Sequence, residues 1–287
     1  MSREPRGVQS IEVGARLLMA LAEQAEPMML RDIANAAEIA PAQAHAYMVS
    51  YRKSGLVEQE EATGRYRLGP FALMMALAKL RGFDPIGVAD RRGRMLCDET
   101  GLSVAISVWG AYGPTVVRVL EVLGEIHMNT RPGTVYSLTG TATGKLFAHY
   151  LPEALVSATL RQQRSEAARS RIVGSAVDLR QVQAEVDFVG DHGYAVTDST
   201  PVPGISAISA PVFEVGGQLS LALTIIGRDD VIDRRPESTH LKALLAAAND
   251  ISAQLGHFEK PEGRMAAPAN ASAGRRPRRN EDDKGLT

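Results

Sequence analysis

Between residues 28 and 69 the apolar positions recur first at helical and then at strand spacing. Leu30, Ile33, Ala34 and Ala37 form one stripe at i, i+3, i+4 and i+7, which predicts a short helix with a single inward face. Pro41 stands where a first helical turn tolerates proline, since the N–H it lacks would be unpaired there in any case. From Pro41 to Ser54, Ala44, Tyr47, Met48 and Tyr51 make a second inward stripe. Gln43, His45, Ala46, Val49, Ser50, Arg52 and Lys53 then point outward. Gly55 is placed to end this helix in a left-handed conformation. Leu56–Glu60 and Arg65–Leu68 read as two short strands joined through Glu61-Ala62-Thr63-Gly64. Upstream, Ser10 is positioned to cap a helix in which Ile11, Ala15, Leu18 and Ala22 share a face, with Leu17 and Leu21 beside them. Helices, a tight turn and a hairpin predict a winged helix-turn-helix, or a dimerisation module of the same outline.

Gly69-Pro70 opens a further helix, Phe71–Leu80, with Phe71, Met74, Met75 and Ala78 on one stripe. So apolar a helix needs a partner, either the first helix or its copy in another subunit. Asp84 is a plausible N-cap and Pro85 a first helical residue for a helix to about Thr100. The pattern then turns to α+β. Ser103–Trp109 alternates as a half-buried strand does, and Gly113-Pro114 turns into a second strand over Thr115–Leu123. An extended piece at Val135–Leu138 precedes helices over Thr141–Tyr150, Pro152–Arg164 and Asp178–His192, with 165–177 as polar connection. The last of these turns Leu179, Val182, Val186 and Val189 inward, and Gly193 stops it. Tyr194–Thr197 reads as a strand, and Gly204–Glu214 with Gln218–Gly227 as a hairpin. Pro236 opens a final helix with Leu241, Leu244, Leu245, Ala248, Ile251 and Leu255 inward. The sequence thus predicts an α+β chain of two domains. Residues 1–7 and 259–287 are expected to be disordered, 8–69 to be the winged unit, 70–83 a linker helix and 84–258 a second domain.

Composition adds limits. The 287 residues are 45% hydrophobic with a net charge of −1, and the single cysteine, Cys97, excludes a disulfide framework and a cysteine zinc site. No apolar run has the length of a membrane span and the first residues lack a signal-peptide core, so a cytoplasmic protein is expected. Over residues 1–85, ten Lys and Arg balance ten Asp and Glu, so the winged unit is neutral. A nucleic-acid binder is usually basic. Placement points the other way, because Arg52, Lys53, Arg65 and Arg67 sit at the end of the second helix and on the hairpin.

Gly140-Thr141-Ala142-Thr143-Gly144-Lys145 has three residues between its glycines and Leu146 after its lysine, so it is not a phosphate loop. Small residues opening a helix nevertheless leave backbone N–H groups that favour a carboxylate. The histidines (His45, His127, His149, His192, His240, His257) show no metal-ligand spacing. No serine lies in a Gly-x-Ser-x-Gly elbow, so neither a hydrolase nor a metal or cofactor is expected. Trp109, at a strand end, is core or pocket wall.

Val8-Gln9-Ser10-Ile11-Glu12, the helix-turn-helix, Thr63 to Gly69, Thr141 to Lys145, Gly193 to Val196 and Val202 to Val212 together resemble the IclR family of bacterial transcriptional regulators, in order and spacing from about Val8 to Leu255. The resemblance implies a winged helix, a linker helix and a GAF-like effector-binding domain. It also implies a dimer, or dimer of dimers, that binds operator DNA and responds to a small metabolite, often an organic or aromatic acid. Where the family pattern commonly has Ser and Arg on the recognition helix, this chain has Ala42 and Ala46. That implies a different operator, weaker binding, or reliance on wing and linker. Gln43, His45 and Ser50 are expected in the groove, with Arg52, Lys53, Arg65 and Arg67 on phosphates. By the resemblance, effector positions fall around Ala142, Thr143 and Gly144, around Thr197 and Asp198, and at Ala207. Free N–H groups at 142–144 would hold an acid group, with hydroxyls of Thr143, Ser199 and Ser206 adding neutral hydrogen bonds and Trp109 an apolar wall. Asp198 would repel an anion, so it is expected to bond its own loop backbone, face away, or accept a ligand hydroxyl, the first being favoured.

Overall fold

The computed structural model describes residues 7–24, 26–122, 130–165 and 172–257. The disorder expected of 1–7 (Gly7 apart) and 259–287, the histidine at 127 and the end of the 115–123 strand lie outside the described residues. In the N-terminal unit α1 (Gln9–Ala22), α2 (Leu30–Ala36) and α3 (Pro41–Ser54) precede a hairpin of β1 (Val57–Gln59) and β2 (Tyr66–Leu68). Leu17, Leu21, Ile33, Ala34, Ala44 and Met48 close its core against Val57 and Tyr66. Gly55 caps α3 at φ 76°, a backbone region that glycine enters without Cβ strain.

The first helix differs from expectation. It begins before Ser10, its cap residue Val8 makes no side-chain cap bond, and it buries Val13, Leu17, Ala20 and Leu21. Ile11, 69% exposed, lies on the other side with Ala15 and Ala22. Two apolar stripes compete on this helix, and only the one containing Leu17 and Leu21 faces α2 and α3.

α4 (Pro70–Leu80) leaves its apolar residues outside: none is buried, and Leu73, Met74 and Leu80 are 62%, 59% and 58% exposed. Packing on α1, one of the two expected solutions, does not bury this helix. Asp84 caps α5 (Pro85–Thr100) as expected, its Oδ1 accepting the Gly87 N–H at 2.9 Å.

The C-terminal part is built on a seven-stranded sheet of β3 (Ser103–Gly110), β4 (Gly113–Leu120), β5 (Val135–Tyr136), β6 (Ile172–Val173), β7 (Ala195–Thr197), β8 (Ile205–Phe213) and β9 (Leu219–Arg228), ordered β6-β5-β4-β3-β9-β8-β7. All pairs are antiparallel except β5 with β6. The segment expected to be polar connection therefore supplies an edge strand, too short for periodicity to reveal. Helices cover both faces: α5 and α9 (Thr239–Gln254) on one, and α6 (Ala142–Tyr150), α7 (Glu153–Gln163) and α8 (Gln183–His192) on the other. A 3₁₀ turn at Leu179–Val182 stands where the start of one continuous helix is expected. The last helix starts at Thr239, capped by Ser238 rather than opened by Pro236.

Double coverage corrects the half-buried reading of Ser103–Trp109, whose Ser103 and Ser107 are both buried. The alternation separates large residues from small ones. Val104, Ile106, Ile208, Val212, Leu221, Leu223 and Ile225 pack toward α5 and α9. Ala105, Ala207, Ser209, Ala222 and Thr224, at the intervening positions, turn toward α6. Small side chains on that face leave space beneath the start of α6.

Candidate functional site

That space is a cavity of about 260 Å³. Its floor is Thr197, Ala207, Thr224 and Ile226, from three adjacent strands, and one end is closed by Thr141, Ala142 and Thr143. Pro201, Val202 and Ile205 form one flank, and Thr130, Tyr136 and Val173 the other. No charged side chain lines it among the described residues.

Thr141 caps α6 and sets which backbone groups remain free. Its Oγ1 accepts the Gly144 N–H at 2.9 Å and donates to the Ser137 carbonyl at 2.9 Å. Of the three N–H groups expected to be free, that of Gly144 is thus occupied, and Gly144 does not line the cavity. Its role is close approach: a Cβ there would stand 1.9 Å from the Ser137 carbonyl oxygen and 2.7 Å from Leu138 Cα. Ala142 and Thr143, at the first two positions of α6, both line the cavity, and the N–H groups of a helix start carry partial positive charge.

The hydroxyls divide into engaged and free. Thr143 Oγ1 is 2.9 Å from Thr224 Oγ1, which is itself 2.9 Å from Ser209 Oγ. Ser206 is not free to add a hydrogen bond. It donates to Asp229 and accepts from Arg234 Nη1 and, at 3.0 Å, from the Ser199 N–H. Thr197 differs: it is 4% exposed, lines the cavity, and its Oγ1 has no hydrogen-bond partner among the described residues. An unpaired buried hydroxyl costs about 1–3 kcal/mol unless something meets it.

Asp198 turns away from the cavity, and its carboxylate meets Arg234 Nη1 at 2.7 Å with 71% of the side chain exposed. The favoured expectation, a bond to its own loop backbone, is corrected. Arg234 lies far along the chain, so nothing local announces the pair. Ser199, held at φ 45°, donates its hydroxyl to Asp229 and also lies off the cavity. Bonds from Ser199 and Ser206, then the charge of Arg234, hold the Asp229 carboxyl below the usual carboxylate range. Trp109 is no wall of this cavity either; it packs on Phe147 with ring centroids 5.8 Å apart. Of the expected effector positions, Ala142, Thr143, Thr197, Ser206 and Ala207 meet around one space, while Trp109, Gly144, Asp198 and Ser199 do not line it.

Three residues that sequence reasoning passed over support this arrangement. Thr224 and Tyr136 line the cavity, and the burial of Tyr136 raises its hydroxyl pKa. Gln163, 1% exposed, accepts the Leu138 N–H and donates to the carbonyls of Tyr112 and Tyr136, tying α7 to the strands beside the cavity.

On the winged unit, Gln43, His45, Ser50, Arg52 and Lys53 are all exposed on α3, as expected. Ser50 donates back to the Ala46 carbonyl at 3.2 Å, and Arg52 Nη1 donates to Gln59 Oε1 at 2.9 Å. Arg65 Nη1 rests on the Pro27 carbonyl at 3.1 Å. Arg67 is less available, because its guanidinium meets Glu58 at 2.6 Å and Glu60 at 3.9 Å.

Residues 10–61 match the IclR helix-turn-helix domain, and residues 78–253 the bacterial transcriptional regulator IclR C-terminal domain. The chain is 27% identical to the glycerol operon regulatory protein of Streptomyces coelicolor, over 85% of this chain and 92% of that one. It is 22% identical to the transcriptional repressor IclR of Escherichia coli, over 77% and 80%. Among solved structures it is similar to Pseudomonas aeruginosa HmgR, with a TM-score of 0.70 and 29% identity over 88% of this chain and 100% of that one. Agobacterium tumefaciens repressor BlcR, at 20% identity and a TM-score of 0.65 over 88% and 99%, shares the fold. The matched relatives are transcriptional regulators, and no enzyme family is indicated. No helix among the described residues is long and apolar enough to cross a membrane.

Proposed function

As the chain belongs to the IclR family of bacterial transcriptional regulators, with a DNA-binding helix-turn-helix and a C-terminal effector domain, we propose that it binds an operator as a dimer or dimer of dimers and senses a small organic acid in the cavity under α6. One observation carries the ligand part. The cavity is lined by aliphatic and hydroxyl side chains with no charged side chain among the described residues, and the first two residues of α6, Ala142 and Thr143, close one end of it. An apolar body with a single acid group suits that lining, the acid on the helix start and the Thr197 hydroxyl within the same space. Asp198 offers no repulsion, since it faces away and is paired with Arg234.

Binding to DNA places α3 in the major groove with Gln43, His45 and Ser50 toward the bases, and Arg52, Lys53 and Arg65 toward phosphates. Arg67 joins them only by leaving Glu58. A second reading keeps the ligand but not the operator. It is favoured by the wing's own charge, where Glu58, Glu60 and Glu61 outnumber Arg65 and Arg67. Fluorescence anisotropy of the protein with its own upstream intergenic duplex separates the two. Binding that unrelated duplex does not match supports the operator; equal weak binding to both supports the second reading. Calorimetry with small acids and their amides tests the ligand class. Acids should bind more tightly, with the preference lost on Ala142→Asp; equal binding of acid and amide would remove the anion from the proposal.

A further inference from the structure

The outward side of α3 has a chemistry of its own. Opposite the buried Ala44 and Met48, Ala42, Ala46 and Val49 follow one another at i, i+4 and i+7, all exposed, Val49 at 38%. Gln43 and Ser50 flank this line on one side, and His45 and Arg52 on the other. From Pro41 to Tyr51 the helix carries no Lys or Arg.

The base edges in the major groove differ in what they ask of such a surface. Guanine presents two acceptors, N7 and O6, and is most often met by a bidentate Arg or Lys, which this part of α3 lacks. Adenine presents an acceptor beside a donor, N7 and N6, and a glutamine amide carries the matching donor and acceptor. Thymine alone presents a methyl group, which packs against alanine and valine side chains. A recognition helix reads bases with its N-terminal residues, where Ala42, Gln43 and Ala46 stand. Ser50 cannot replace a cation, since its hydroxyl proton goes to the Ala46 carbonyl at 3.2 Å.

Resting on the reading that α3 enters the major groove, we propose that this chain selects A·T pairs beneath α3, with Gln43 reading adenine and Ala42, Ala46 and Val49 packing on thymine methyl groups. The first cations along the helix are Arg52, bonded to Gln59, and Lys53 beside it, both in its last turn, so a guanine contact from α3 falls at that end, away from Ala42 and Gln43.

The test is selection of bound duplexes from a random pool with the full-length chain, followed by replacement of thymine by deoxyuracil in the selected half-site. The expected half-site holds consecutive A·T pairs. Each methyl removed beneath α3 should weaken binding about fourfold, the equivalent of about 0.8 kcal/mol for one buried methyl-sized group. Gln43→Ala, at an exposed position, should lower the preference for adenine at one position by about fivefold or more. Specific binding with a G·C half-site, or with deoxyuracil tolerated throughout, overturns the inference and leaves operator binding standing. No duplex bound above the random pool overturns operator binding, and the inference with it.

Discussion

Glu58 stands directly opposite Arg67 across the β1–β2 hairpin and holds its guanidinium at 2.6 Å. The pair joins the non-local logic of a hairpin to the electrostatics of the wing. The arginine is already paired with its cross-strand neighbour before any phosphate approaches, and a phosphate must compete with that carboxylate for it.

Arg65 and Arg67 should therefore differ in their effect on DNA. Each phosphate contact contributes a slope of about −0.9 to the dependence of log affinity on log salt. Arg65→Ala should weaken all duplexes about equally and reduce the magnitude of the slope by about 1. Arg67→Ala should change it little, and Glu58→Gln should steepen it by freeing Arg67. Anisotropy titrations between low and moderate salt read all three variants.

The exposed stripe of α4 predicts self-association. Leu73, Met74, Leu77 and Leu80 form too large an apolar surface to leave in water. Sedimentation at micromolar concentration should show a dimer or larger species, reduced toward monomer by Leu73→Glu with Leu77→Glu. A stable monomer of the unaltered protein, with and without DNA, would contradict this.

Gly144 is predicted to tolerate no side chain. Its Cβ would enter the Ser137 carbonyl, so Gly144→Ala should cost about 1–3 kcal/mol in urea unfolding as backbone and α6 are pushed apart. Thr141→Val removes the cap of the same helix and should cost about 1 kcal/mol.

Cys97 is predicted to be inert in the folded protein. It is 7% exposed, and burial pushes its thiol up to about 11, so almost no thiolate exists at neutral pH. A chromogenic disulfide reagent at pH 8 should find no fast thiol until denaturant is added, and then one per chain. Because the folded value lies above the ordinary one, the unfolded chain loses this proton first. Stability should therefore fall as pH rises from about 9 toward 11.

Much of this was legible in the sequence, and its limits are physical. The inward stripe of α3, the Gly55 cap and the Asp84 cap are local patterns, and each appears in the structure. The first helix offered two apolar stripes, and tertiary packing chose the one that periodicity alone did not. Ile172–Val173 is an edge strand of two residues, below the length at which alternation can be seen. Around the cavity, the helix start and the Thr197 and Ala207 positions were readable, because they lie in short motifs. Arg234 and Asp229 were not, since their partners Asp198 and Ser199 lie 30 or more residues earlier in the chain. The sequence leaves Trp109 between core and pocket wall, and its packing on Phe147 decides for the core, a contact with a helix 38 residues on that no local pattern announces.

The central claim is that a ligand in the cavity under α6 controls DNA binding, and one variant tests it directly. Ala207 lies on the cavity floor, away from α3, so Ala207→Leu fills the space without touching the winged unit. The measurement is operator affinity by fluorescence anisotropy, with and without an effector identified from a panel of small acids, for the unaltered protein and for Ala207→Leu. The expected result is an effector-dependent shift in affinity for the unaltered protein and no shift for Ala207→Leu, with equal affinity for both in the absence of effector. An undiminished shift in Ala207→Leu would contradict the account, because the ligand would then act from somewhere other than this cavity.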